Sequence, residues 1–143
     1  VRLTTTVPAL PVRDVVRAVE AYERTLGFHA AHLDPGGFAI VVRDDAELHL
    51  WQAADDGWRQ RTPGELAESP VRSGAEDFLA GTASCRIACS DVDALHAELA
   101  PTGALHPTDA GRPAATSHGT REVAVLDLDG NLLTFVEAVV GGP

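Results

Sequence analysis

Lysine and methionine are absent, so all eleven basic residues are arginines. With Ala, Gly and Pro plentiful, that skew points to a GC-rich bacterial genome more than to any chemistry. Basic residues are also few: 11 against 21 Asp plus Glu give a formal charge of −10. The resulting field repels nucleic acid and favours a cationic partner or simply solubility. Cysteine is limited to Cys85 and Cys89 in a strand-like segment. At ~3.3 Å per residue they would stand about 13 Å apart, beyond disulfide reach. No second pair or suitably spaced histidine accompanies them, so a zinc site is not expected. They read as reduced core residues of a cytosolic protein. No apolar run approaches the ~20 residues that span a bilayer, and no charged and then apolar leader opens the chain. A soluble, cytoplasmic protein with neither membrane nor nucleic acid as partner is expected.

What is present suffices for a core, since 143 residues with 45% hydrophobic content make one compact domain. Thr4 to Val12 is apolar and β-branched, and Pro8 and Pro11 restrict it to an edge strand or an arm. Asp14 caps a helix whose apolar positions Val15, Val16, Val19, Tyr22 and Leu26 share a face, and Gly27 suits its end. Phe28 to Leu33, Phe38 to Arg43 and Leu48 to Ala53 read as three antiparallel strands separated by turn residues. Asp55 to Gly81 is a polar connection with weak helical signal near Ser73 to Leu79. The order then repeats: a strand at Ala83 to Cys89, a helix capped by Ser90 or Asp91, and strands near Ala104 to His106, Arg121 to Leu126 and Asn131 to Ala138. Asp109 to Gly119 reads as a loop, and His96 as a solvated residue on the exposed side of the second helix.

The repeat can be checked by superposing the halves. Val12 to Val15 matches Cys89 to Val92 at an offset of 77, and Asp45 to His49 matches Gly130 to Thr134 at 85. The expected fold class is α+β, one domain over 1–143: a βαβββ module at 1–54, a connection at 55–81 and a second module at 82–143. One helix per module leaves one sheet face bare, so two curved antiparallel sheets should shelter a cleft between the halves or between chains.

Arg121 to Glu137 reads as a strand, a tight turn and a second strand. Its D-x-D-G-N-L-L-x-F-V-E wording, approached by H-G-T-R-E-V-A-V from His118, resembles the last hairpin of the glyoxalase and bleomycin-resistance superfamily, the vicinal oxygen chelate fold. V-P-A-L-P-V-R-D-V from Val7, Y-E-R-T-L-G-F at Tyr22 to Phe28 and D-V-D-A-L at Asp91 to Leu95 extend the resemblance over nearly the whole chain. In metal-dependent members four cleft-facing strand residues are His, Glu or Gln; carried over by position they fall on Val7, His49, Ser84 and Thr134. Only His49 is an ordinary metal ligand. No metal or other cofactor is therefore expected, and the resemblance narrows to the antibiotic-binding branch. That branch implies a homodimer in which the first strand crosses to the partner, with Pro8 near the hinge and clefts at the interface.

Residues two apart on a strand share a face, so a cleft containing His49 also contains Glu47 and Trp51, one containing Ser84 contains Arg86, and Thr134 brings Leu132 and Val136. Leu10, Val12, Cys85, Ile87, Cys89, Leu133 and Phe135 then face the helices. Trp51 is either a stacking platform or an ordinary core tryptophan, and Phe38 either core or a second stacking face. Trp58, in a polar loop, suits a lid or an interface, while His118 stands at the expected cleft mouth. His29 and His32 read as solvated residues of an edge strand. The candidate ligand-binding set is Phe38, Glu47, His49, Trp51, Trp58, Ser84, Arg86, His118 and Thr134. Such a lining suits a flat aromatic ligand with polar edges.

Two functions follow. The first is stoichiometric sequestration of a DNA-damaging natural product, either a bleomycin-type glycopeptide with a cationic tail or an aromatic quinone or enediyne-type compound. The second is a metal-independent enzyme of the same fold, with His49 as general base tuned by Glu47 and Arg86 stabilising an anion.

Overall fold

Asp14 accepts hydrogen bonds from the N–H groups of Val16 (3.0 Å) and Arg17 (3.1 Å), which starts helix α1, Val15–Leu26. Its buried side includes Val15, Ala18, Val19, Tyr22 and Leu26, and Gly27 closes it in the left-handed region at φ +71°. The computed structural model describes residues 1–55, 57, 60–68 and 75–139. The helix lies between β1 (Ala9–Val12) and a meander of β2 (His29–Asp34), β3 (Phe38–Arg43) and β4 (Ala46–Gln52), in the spatial order β1-β4-β3-β2. The second unit repeats this with β5 (Ser84–Ala88), α3 (Val92–Leu99), β6 (Ala114–Ala115), β7 (Thr120–Leu126) and β8 (Leu132–Ala138), in the order β5-β8-β7-β6. Between the units Thr62 and Glu65 form a reciprocal capping box that starts α2, Pro63–Ala67.

The sheets are mixed rather than antiparallel. β1 pairs with β4, and β5 with β8, in parallel register. The helical crossover sets β2 running with β1, and two reversals return β4 in that same direction, so the closing pair has to be parallel. The first strand is shorter than Thr4 to Val12, beginning at Ala9. Of the strand expected at Ala104 to His106 only a bridge between Leu105 and Val125 forms, and Ala114–Ala115, inside the expected loop, pairs with β7 instead. The helical signal near Ser73 to Leu79 amounts, in the described residues, to a 3-10 turn at Ala75–Asp77. Both ends of the connection are tied together: Ala54 N–H donates to Glu76 O at 2.8 Å, and Ala80 N–H to Asp55, which also meets Arg13 at 3.0 Å. Among the described residues no helix is long and apolar enough to cross a membrane.

One hydrophobic core serves both units. Leu10, Val12, Val41, Leu48 and Leu50 of the first join Val92, Leu99, Val123, Val125, Leu133 and Phe135 of the second. Cys85, Ile87 and Cys89 pack against it, and both thiols are free. His96 is not a solvated residue. Only 9% exposed, it holds both carboxylate oxygens of Asp109 at 3.0 and 3.1 Å, because the loop after α3 folds back over that helix.

The conspicuous D-L-D-G-N wording is a clasp between the units. Asp127 Oδ1 accepts from the N–H groups of Asp129 and Asn131, both at 2.9 Å, and its Oδ2 accepts from Tyr22 OH on α1 at 2.8 Å. Asn131, fully buried, donates from Nδ2 to Pro11 O and to Asp127 Oδ2, both at 2.9 Å, while its Oδ1 accepts from Ala83 N–H at 3.0 Å. Burial first, and then the Asp127 charge, push the Tyr22 hydroxyl well above its ordinary range and keep it a donor. Gly81 completes the clasp at φ +76°, where a Cβ would fall 2.0 Å from Asp129 O.

Surface ion pairs add an acid limit. Arg43 grips Glu98 through both guanidinium nitrogens (2.6 and 2.8 Å), Arg121 holds Asp93, and Arg86 meets Glu122. Hydrogen bonds from these arginines, and from His96 to Asp109, hold the four carboxyls below their usual range. Their contribution is therefore present above the unfolded carboxylate values and is lost as pH falls through the folded ones. Asp129, raised chiefly by burial, works in the opposite sense, favouring the fold at low pH. Four groups outnumber one, so the urea midpoint is expected to be lower at pH 3.5 than at pH 7. Equal midpoints would show that these pairs contribute no more above the carboxylate range than Asp129 returns below it.

Candidate functional site

Leu48 and Leu50 point into the core, so alternation along β4 sends Glu47, His49 and Trp51 to the open face of the first sheet. β3 places Phe38 in register with Trp51, and Ile40 with His49. The Phe38 and Trp51 rings lie 4.8 Å apart at 38°, and His49 stands edge-on to Phe38 at 5.2 Å. Glu47 Oε2 lies 3.1 Å from His49 Nε2. Phe38 and Trp51 are thus partly exposed on this face rather than buried in the core.

His32 joins this group, 5.6 Å from Phe38. The register between β2 and β3 shifts between Ala30 and His32, which turns His32 to the same face as its partner Ile40. Plain alternation from the half-buried Ala30 would have sent it inward. Nothing in the sequence marks that bulge.

Ser84, Arg86 and Thr134 share the open face of the second sheet, where Arg86 is in register with Thr134. Arg86 pairs with Glu122, which also accepts from Thr120 Oγ1 at 3.1 Å. His118 stands at the rim, 3.9 Å from Glu122 and 3.4 Å from Thr120. Trp58 lies outside the described residues. The candidates therefore form two groups, one per sheet. Among the described residues no hydrogen bond, ion pair or ring contact joins them. The donor set carried over from metal-dependent relatives does not fit a divalent ion: Val7 offers no donor, His49 faces Glu47, and Ser84 and Thr134 present neutral hydroxyls on the other sheet.

A cavity of about 590 Å³ lies elsewhere, between the β3–β4 turn and α3. Phe28, Ile87 and Leu95 line it together with the paired Arg43 and Glu98, and Asp44, Asp45 and Asp91 add acidic side chains.

Paired βαβββ units, each with a helix on one face and the opposite face open, define the vicinal oxygen chelate class of fold. The chain belongs to the glyoxalase/bleomycin resistance protein/dioxygenase superfamily, whose family model matches residues 3–135. It is 40% identical over 133 residues to the bleomycin resistance proteins of Geobacillus stearothermophilus and Staphylococcus aureus, covering 93% of this chain and 96% of theirs. Among solved structures it is similar to the bleomycin-binding protein of bleomycin-producing Streptomyces verticillus complexed with copper(II)-bleomycin, with 28% identity, a TM-score of 0.65 and 99% of both chains covered. A second bleomycin-binding protein, complexed with bleomycin, shares the fold at 24% identity and a TM-score of 0.64, covering 94% of this chain and 98% of that one.

Proposed function

We propose that this protein confers resistance by holding an antibiotic stoichiometrically and without turnover. The observation that carries this reading is the 40% identity, over 93% of the chain, to bleomycin resistance proteins. The open aromatic face supplies the physical means: Phe38 and Trp51 offer π-surfaces to a planar group, while Glu47, His49, Ser84, Arg86, His118 and Thr134 offer polar partners to its edges. Bleomycin-type compounds with a cationic tail suit the charge of −10, and quinone or enediyne-type aromatics are the other class the platform fits. Free thiols at Cys85 and Cys89 accord with a cytoplasmic location.

Two half-sites that do not meet among the described residues of one chain favour a homodimer in which the first sheet of one protomer covers the second sheet of its partner. The outer edges of β1 and β5 carry no strand partner among the described residues. Val1, Leu3 and Val7 before Pro8 are exposed, and an exchanged arm would cover them.

Metal-free bleomycin titrated into the protein is expected to quench tryptophan fluorescence to saturation at one ligand per chain, two per dimer by sedimentation, with the compound recovered unchanged. A converted product would favour the acid–base reading of His49 and Glu47. Absence of binding to bleomycin, quinone and enediyne classes alike would reject sequestration.

A further inference from the structure

Glu47 and His49 do more on this face than line it. Glu47 is the one acidic residue of β4 and shares a face with Trp51, and its Oε2 is 3.1 Å from His49 Nε2. His49 stands edge-on to Phe38 at 5.2 Å, so its other flank borders the surface where a planar ligand would lie. Around this pair, β2 contributes His29, in register with the Val42 that pairs with Glu47, together with His32 and Asp34, the latter in register with Phe38, while β1 and β3 bring Ala9, Phe38, Ile40 and Val42. Among the described residues no arginine is ion-paired to Glu47; its polar neighbour is the His49 imidazole.

We infer that the cationic part of the ligand and a proton carried by His49 compete for the Glu47 carboxylate, so that capture on this face is controlled by pH. With the imidazole neutral, Glu47 presents an unspent negative charge beside an aromatic platform, the arrangement that suits a planar group with a cationic tail. A proton on His49 makes it an imidazolium in contact with Glu47, which neutralises the anchor and sets a positive charge at the platform edge. His32, across Phe38, adds to that repulsion in the same direction. Linkage makes the effect reciprocal: ligand binding expels the proton as the proton expels the ligand. This inference rests on the sequestration reading and adds to it which charge on the ligand is recognised and when.

The test measures the affinity of metal-free bleomycin by calorimetry from pH 8 to pH 5.5, the interval in which imidazoles change charge, for the wild type, His49→Gln and Glu47→Gln. Protonation of bleomycin itself is common to the three proteins and cancels in their ratios. Wild-type affinity is expected to fall about tenfold further over this interval than that of His49→Gln. Glu47→Gln is expected to be about tenfold weaker at pH 8 and to show no extra loss. Three parallel curves would overturn the inference while leaving sequestration intact. Failure of the wild type to bind at pH 8 would remove bleomycin as the ligand, and this inference with it. Both substitutions lie on the open face, so circular dichroism is expected to show an unchanged fold.

Discussion

Asn131→Ala is expected to cost about 4 kcal/mol of folding stability, a large part of what holds a domain of this size together. The side chain is fully buried and serves three groups at once: Pro11 O at the end of β1, Ala83 N–H before β5, and Asp127 in the hairpin turn. Alanine leaves the Ala83 N–H without its acceptor, at roughly 1–3 kcal/mol. It also deletes the two donated bonds and opens a void between the units. Urea unfolding of the purified variant measures the loss. A change under about 1 kcal/mol would mean that the two units are held by their shared core alone and that the clasp is incidental. Arg121→Ala, which removes an exposed pair with Asp93, is the contrasting control and is expected to leave the urea midpoint at pH 7 close to that of the wild type.

The largest effect on binding is expected from Trp51→Ala. An aromatic residue at the centre of a recognition surface commonly carries 2 kcal/mol or more. Trp51 also props Phe38 at 4.8 Å, so its removal unsettles both rings of the platform. Affinity for metal-free bleomycin is expected to drop about 100-fold by calorimetry, with the urea midpoint nearly unchanged because the indole lies on the face away from the core. Affinity within threefold of the wild type would place the ligand elsewhere and sink this face as the site. A fall in stability to match the fall in affinity would make Trp51 a structural residue instead.

The elements that could be read from the sequence are those fixed by local chemistry. Asp14 and Gly27 bracket α1 because a side-chain acceptor and a left-handed residue are short-range requirements. Alternation along β4 and β8 told which side chains share a face, and Glu47, His49 and Trp51 do share one, as do Leu132, Thr134 and Val136. The T-P-G-E wording at Thr62 to Glu65 carried a cap signal that went unused. What escaped depends on distant parts of the chain. Parallel pairing of β1 with β4 follows from the crossover between them, not from either strand. His96 is buried because Asp109, thirteen residues on, folds back to it. His32 reaches the platform through a register shift that polar and apolar alternation cannot encode. Nor does parity say whether two faces meet: Arg86 and Thr134 lie on one sheet and Trp51 on the other.

The connection from Asp55 to Ala80 begins and ends at one place, because Ala54 and Ala80 are tied to Glu76 and Asp55. A loop with joined ends is nearly indifferent to its own length, each doubling costing only about 0.6 kcal/mol. The chain between those ties can therefore change in length without disturbing either sheet. Here new chemical tastes can evolve while the scaffold stays still.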